Sequence, residues 1–258
     1  MTSWQEKLSR EPLSQSNETL FFVEAPLMDS GRRFGRGFSG RLVEWVYADH
    51  NRSRKVRKQL GKLHESLRMT DSVGLNYGAG RSARVAGMVN LDVYPGDAVD
   101  VVYDGDEIPF RDATFDVIIS QEVFEHIADP QAALDEVARV AKPGAQFFLQ
   151  LPFIIGFHSP PGDYWRFTSR GIQIFVESTG KFRVIESGIA SGHGTGLHHI
   201  LVEFVAVTAS AVARGLYRPA KLAAALLFYW IKLFDHLTPL ASECDRIPGS
   251  CYVVAVRI

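Results

Sequence analysis

From Ser72 onward, short apolar runs alternate with helix-patterned stretches, and this alternation restricts the fold more than any other feature of the chain. The runs are VGLNY (Val73 to Tyr77), GMVNLDVY (Gly87 to Tyr94), VDVVYD (Val99 to Asp104), FDVIIS (Phe115 to Ser120), AQFFLQLP (Ala145 to Pro152), FRVIESG (Phe182 to Gly188) and CYVVAVRI (Cys251 to Ile258). Strands that alternate with helices pair mostly in parallel, through right-handed crossovers, in a sheet covered on both faces. The sequence therefore predicts an α/β fold with three layers, αβα. Its clearest helix lies in DPQAALDEVARVAKPG (Asp129 to Gly144), with Asp129 placed as N-cap, Pro130 in the first turn and KPG as the stop. Ligands of such sheets bind outside the carboxyl ends of the strands, where strand order reverses.

Two regions stand apart from the alternation. Residues 1–70 read as an N-terminal arm followed by helices, and residues 71–258 as the main domain. The arm is polar and punctuated by Gly and Arg. Its stretch DSGRRFGRGFSGR (Asp29 to Arg41) is either a basic loop able to contact phosphate or carboxylate, or a solvated entry arm. Helical spacing follows in SGRLVEWVYADH (Ser39 to His50) and in RKVRKQLGKLHESLRM (Arg54 to Met69). The second region is an apolar helical insertion at about residues 197–240. It holds LHHILVEFVAVTASAVA, which contains Glu203, and AKLAAALLFYWIKLF, bracketed by Lys221 and Lys232. The latter is shorter than the roughly 20 residues that a membrane-crossing helix requires. The pair is expected to pack together, or to dip into one leaflet as a peripheral membrane contact.

Charge and cysteine usage narrow the function classes. A formal net charge of -1 provides no basic field to draw nucleic acid onto the surface, and no Asn/Asp-Pro-Pro-Tyr/Phe/Trp motif is evident. Cys244 and Cys251 are the only cysteines and lie outside any CxxC spacing, so neither a disulfide framework nor a structural zinc site is expected. The N-terminal residues lack the basic start and apolar middle of a secretory signal, which makes the cytoplasm the expected location. In SGHGTGLHH (Ser191 to His199) no carboxylates complete a metal set. That stretch is read as a lid over a pocket or a plain connection, and no metal is expected in the protein.

The strand VGLNY runs into Gly78, Ala79 and Gly80, the order of a nucleotide-binding turn. Glycine there permits positive φ and a close approach of ligand to backbone. A dinucleotide fingerprint would place its third glycine at Ala83 and its acidic residue about 20 positions further on. Asp92 follows Gly80 by only 12. The first crossover helix must then be very short or replaced by a loop, which suits a ligand with a ribose and no pyrophosphate.

The series GLNYGAG, VNLDVY and VVYDGDEIPFRDATFDVIISQEVFEHIADPQAALDEVARVAKPGAQFFLQLP resembles the motifs of class I S-adenosylmethionine-dependent methyltransferases, in particular the type 11 group, continuously from Val73 to Pro152. The resemblance implies a Rossmann-like, doubly wound, seven-stranded sheet whose last strand, CYVVAVRI, is antiparallel. It implies S-adenosyl-L-methionine as cofactor. Gly78, Ala79 and Gly80 would pass beneath its methionine part, Asp92 would hold the ribose hydroxyls with Val93 beside the adenine, and Asp104 with Gly105 would lie near the adenine amino group. Gln121 would face the methionine end. Asn76 and Ser82 depart from the family's usual acid and glycine.

Methyl transfer from a sulfonium is an in-line displacement that depends mainly on alignment, with a general base where the acceptor carries a proton to be lost. The candidate bases are His126, His158 and Asp163. QEVFEH (Gln121 to His126) follows the fourth strand, where Glu122 and His126 would share a face if the segment were helical, and the pair Glu125 and His126 has a structural role as its alternative. PFIIGFHSPPGDYWRFTSRG (Pro152 to Gly171) follows the fifth strand. Its Tyr164, Trp165 and Arg166 are expected either to form the acceptor wall or to pin the loop. The expected activity is methylation, at oxygen, of a small-molecule or lipid- or glycan-linked acceptor. The rival readings are a noncatalytic S-adenosylmethionine-binding module and a dinucleotide oxidoreductase.

Overall fold

The computed structural model describes residues 4–24, 53–69, 72–80, 84–158 and 162–258. The apolar runs form strands of one sheet: β3 (Gly74–Tyr77), β4 (Met88–Asp92), β5 (Val101–Val102), β6 (Phe115–Gln121), β7 (Ala141–Pro152), β8 (Phe182–Ser191) and β9 (Ser250–Arg257). Two short strands precede them, β1 (Ser14–Ser16) and β2 (Thr19–Phe21). The strand order is β1-β2-β5-β4-β3-β6-β7-β9-β8. Strands β3 to β7 run parallel, while β9 is inserted antiparallel between β7 and β8. The order reverses at β3, whose neighbours are β4 and β6, and that crevice is the one the sequence singled out.

Period-two alternation builds the two faces. Val117 and Ile119 of β6, Phe148 of β7, and Tyr252 and Val254 of β9 face α1 (Arg54–Met69), which buries Val56, Leu60, Leu63 and Leu67 along one helical stripe. The intervening residues Ile118, Phe147, Leu149, Val253 and Ala255 face the opposite way. They meet Leu134, Val137 and Ala138 of α2 (Pro130–Val140) and Ile172 and Val176 of α3 (Ser169–Glu177). Both of these helices are capped as their sequences dictate: Asp129 accepts from the Ala132 N–H at 3.1 Å, and Thr168 from the Gly171 N–H at 3.0 Å.

The structure corrects the strand number, the reading of SGHGTGLHH and the start of the insertion. The sheet has nine strands, not seven, because the arm is not separate from the domain: Leu20 and Phe21 pair in parallel with Val101 and Val102 at the β5 edge. The stretches Asp29 to Arg41 and Ser39 to His50 lie outside the described residues. Between β3 and β4 no helix occurs among the described residues; residues 81–83, Ser82 and Ala83 included, fall outside them. The glycine-rich SGHGTGLHH is not a lid but the start of α4 (His193–Val212). Its glycines are there for close packing: a Cβ on Gly194 would fall 2.4 Å from the Ile231 carbonyl oxygen, and one on Gly196 3.0 Å from that of Ile247. Asp235 completes this helix start, accepting from the Thr195 N–H at 3.0 Å and its hydroxyl at 2.6 Å.

The insertion therefore begins at His193. It continues through α5 (Tyr217–Leu227) and 3-10 turns at Tyr229–His236 and Thr238–Leu240. Helix α4 buries Thr195, His198, Val202 and Ala206 and exposes Leu197, Ile200, Phe204 and Val207. It is long and apolar enough to cross a membrane by length and composition, yet one face is already spent on packing against the rest of the protein. Glu203, which pairs with Lys221 and accepts from the Tyr217 hydroxyl at 2.8 Å, joins α4 to α5.

Candidate functional site

The chain leaves β3 through Gly78 at φ 73° and Gly80 at φ 56°. The N–H groups of Gly78 and Ala79 both donate to the Leu91 carbonyl at 2.9 Å, which locks the turn onto β4. A Cβ on Gly78 would fall 2.4 Å from Val123, whereas one on Gly80 would meet nothing within 4 Å among the described residues. Asp92, only 6% exposed, ties this turn to the tip of β4: it accepts from the Gly80 N–H at 2.6 Å and from the Tyr94 N–H at 2.9 Å. A carboxylate accommodates about four hydrogen bonds, so acceptor capacity remains after these two.

The other expected cofactor residues frame the same crevice. Gly105, at φ 99°, packs against Val93; a Cβ there would lie 3.4 Å from the valine Cγ1. Asp104 accepts from the Asp106 N–H at 3.0 Å in a local turn and faces Arg10 of the N-terminal arm at 3.7 Å. Asn76 donates to Asn90 at 2.9 Å, and so is used between β3 and β4. Gln121 donates to Gln150 at 3.1 Å, which in turn donates to Glu122 at 2.9 Å. Glu122 sits at φ 55°, a left-handed conformation costly for a residue with a side chain and common where strands deliver functional groups. It does not share a helical face with His126, because a tight 3-10 turn over Phe124–His126 takes the place of an α-helix.

That turn and the loop after β7 bring the acceptor-side candidates together. The rings of His126 and His158 pack edge to face with centroids 4.9 Å apart. Asp163 accepts from the His158 N–H at 2.8 Å and lies 3.4 Å from its Nδ1. Arg166 grips Asp163 with both guanidinium nitrogens and reaches the Gly156 carbonyl at 3.2 Å. Burial opposes ionisation of Asp163, but the Arg166 hydrogen bonds, the His158 N–H and the nearby charges outweigh it and hold the carboxyl below its ordinary range. So held, Asp163 is placed to orient His158 and Arg166. Trp165 pins the loop by donating to the Ile127 carbonyl at 3.0 Å, while its ring and that of Tyr164 stay exposed.

Sequence reasoning left the Glu125–His126 pair between catalysis and a structural role, and did not foresee the burial of Glu125. It is fully buried directly beneath the two histidines, and neither carboxylate oxygen has a hydrogen-bond partner. Burial, ahead of the opposing attraction of His126, pushes its carboxyl up to about 7. On the far side of the loop, Gly156 abuts α4 so closely that a Cβ would fall 2.6 Å from Glu203 Cγ. The apolar insertion is thereby seated against the loop that carries His158.

A parallel sheet closed by a reversed last strand, with a glycine turn on β3 tied to an acid on β4, is the arrangement that the resemblance to class I S-adenosylmethionine-dependent methyltransferases implied. Residues 68–149, about a third of the chain, match the type 11 family model, described as a methyltransferase domain. A 38-residue stretch is 50% identical to an uncharacterized methyltransferase of Schizosaccharomyces pombe; it spans 15% of this chain and 14% of that protein. Among solved structures, phosphoethanolamine N-methyltransferase 2 of Haemonchus contortus, in complex with S-adenosyl-L-methionine, is similar over 87% of this chain and 58% of its own, with 16% identity and a TM-score of 0.49. The [4+2]-cyclase SpnF is similar over 84% of this chain and 91% of its own, with 16% identity and a TM-score of 0.47.

The residues present fit the cofactor. Spare acceptor capacity on the buried Asp92, the Val93–Gly105 contact and a Gly80 that no described residue crowds match a nucleoside lying across the strand tips.

Proposed function

We propose that this protein transfers a methyl group from S-adenosylmethionine to an oxygen on a small-molecule or lipid- or glycan-linked acceptor, in the cytoplasm and at a membrane surface. The observation that carries the transfer is Asp92, a buried carboxylate fixed to the glycine turn with acceptor capacity to spare. When bound, the cofactor supplies the sulfonium methyl group. The protein binds the ribose through Asp92, flanks the adenine with Val93 and Gly105, and leaves Gln121 toward the methionine end. His126 and His158 stand on the acceptor side with Nδ1 of each facing a carbonyl oxygen, so that Nε2 is the atom left to take the acceptor's proton.

Calorimetry with S-adenosylmethionine and S-adenosylhomocysteine, followed by transfer of a labelled methyl group to hydroxyl acceptors in a lipid extract and a soluble metabolite panel, tests this reading. Binding of both compounds and label in a product are expected. Binding without transfer to any acceptor would favour the noncatalytic module, and absence of binding would remove the cofactor assignment.

The membrane part of the proposal is supported by the stripe Leu197, Ile200, Phe204 and Val207 on α4, continued by exposed Trp230, Leu233 and Phe234. Exposed apolar side chains on the helix that abuts the loop carrying His158 suit a substrate held in a lipid layer. Each such side chain contributes about 1.5–3 kcal/mol when fully buried. The double variant Ile200→Ser, Phe204→Ser is therefore expected to lower recovery with floated liposomes by about tenfold or more. Wild-type protein that stays wholly in the soluble fraction, whatever the lipid, would remove this part and leave the methyl-transfer reading intact.

A further inference from the structure

Three donor atoms from two segments converge beside the tip of β6. The Nε2 atoms of His126 and His158 lie 3.6 and 3.7 Å from Glu125 Oε1, and all three ligand atoms lie within 4.8 Å of one another. Those separations exceed a hydrogen bond, so neither imidazole satisfies the carboxylate directly. They do match a shared ion: two ligands each about 2.1 Å from a tetrahedral centre stand about 3.4 Å apart. The carboxylate is fully buried, and neither of its oxygens has a hydrogen-bond partner. Such a group is costly to keep unless something positive compensates it.

The outer contacts point the same way. His126 Nδ1 meets the Gly162 carbonyl, and His158 Nδ1 lies 3.3 Å from the Gly156 carbonyl and 3.4 Å from Asp163. A ring nitrogen that donates to a carbonyl or carboxylate fixes the tautomer and leaves the other nitrogen as a lone-pair ligand. Both histidines are so arranged with Nε2 turned toward Glu125. Asp163 is itself held by Arg166, which makes the support rigid.

We propose that Glu125, His126 and His158 bind one divalent transition-metal ion, with zinc as the ion whose tetrahedral geometry the spacing matches, leaving its fourth position to an exchangeable oxygen ligand. Two imidazoles and one carboxylate are a donor set suited to such ions. With the ion bound, both Nε2 atoms are ligands and the histidines no longer act as bases; the fourth ligand is water or the acceptor's hydroxyl, whose proton the ion makes easier to lose to solvent. The part played by the acceptor rests on the methyl-transfer reading; the binding of the ion does not.

The test uses full-length protein prepared without chelators and without a polyhistidine tag. Metal content by mass spectrometry is measured first. Chelator-stripped protein is then titrated with zinc and with cobalt(II), whose visible absorption reports tetrahedral coordination. We expect one ion per chain, a tetrahedral cobalt spectrum, and affinity lowered by about 100-fold or more in Glu125→Gln, His126→Ala and His158→Ala, since even an outer contact is worth 10–100-fold. Asp163→Asn is expected to weaken binding by about tenfold. Calorimetry with S-adenosylhomocysteine on the same samples shows whether each variant is folded, and reads the cofactor site separately. Wild-type protein that takes up neither zinc nor cobalt at one per chain, or folded ligand variants that bind like wild type, would overturn the proposal. Metal binding with no response to S-adenosylhomocysteine would support the ion and sink the methyl-transfer reading instead.

Discussion

Replacing Asp92 with alanine is expected to weaken binding of S-adenosylhomocysteine by more than about 100-fold, because hydrogen bonds from ribose hydroxyls to a charged acceptor contribute about 1.5–3 kcal/mol each. The same carboxylate holds the Gly80 and Tyr94 N–H groups. Unfolding free energy should accordingly fall by about 1–3 kcal/mol as those donors lose their partner. The turn would not come apart, since Gly78 and Ala79 still donate to Leu91. Asp92→Asn separates the roles no better than alanine does for binding: its amide NH2 would be turned on either the Gly80 or the Tyr94 donor. Calorimetry for affinity and chemical denaturation for stability are read side by side. An Asp92→Ala variant that is folded and binds with unchanged affinity would place the ribose elsewhere.

The parts of the fold legible in the sequence were those where local pattern and burial agree. Val56, Leu60, Leu63 and Leu67 recur at helical spacing, and the helix occupies Arg54–Met69 as expected. Asp129 caps α2 because its side chain follows a polar break and precedes a proline, both visible locally. The reversed last strand came only through resemblance, since an apolar run such as CYVVAVRI carries no sign of direction. Strands β1 and β2 were not legible at all. SQS and TLF are three residues each and pair with one another locally, but TLF joins the sheet through Val101 and Val102, about 80 residues away. The glycines of SGHGTGLHH read as a loop because glycine disfavours helix locally. The close approach of 231–238 and 247–249, which only glycine admits, overrides that preference.

The candidate site divides in the same way. Gly80 and Asp92 are 12 positions apart and joined by one crossover, so their meeting follows from the parallel pairing of β3 and β4. Glu125 and His158 are separated by 33 positions, a span that holds α2 and β7, and nothing in EH or FHS announces that a buried carboxylate will lie beneath both rings. Burial is a tertiary quantity, and it converts an ordinary glutamate into the centre of the cluster.

Asp163→Ala is expected to destabilise the protein by about 3 kcal/mol, the low end of the cost of breaking a buried ion pair, with Arg166 partly solvated. The Asp163 side chain is 1% exposed and receives both guanidinium nitrogens of Arg166 together with the His158 N–H. Removing it strands a guanidinium against the Gly156 carbonyl and frees the loop that carries His158 and Trp165. The pH dependence has a definite sign. Because the Asp163 pKa is depressed in the folded state, its contribution is present above the ordinary carboxyl value near 3.8 and is lost as pH falls through the lower folded value. Asp163→Asn should therefore be less stable than wild type at neutral pH, with the difference shrinking in acid. A double-mutant cycle with Arg166→Met isolates the pair. Arg166→Met should cost clearly less in the Asp163→Asn background than in wild type, by 1 kcal/mol or more on the scale of contacting charged groups, roughly. Additive costs in urea denaturation would mean that the two side chains hold the loop independently, and that the geometry of the acceptor side does not depend on their union.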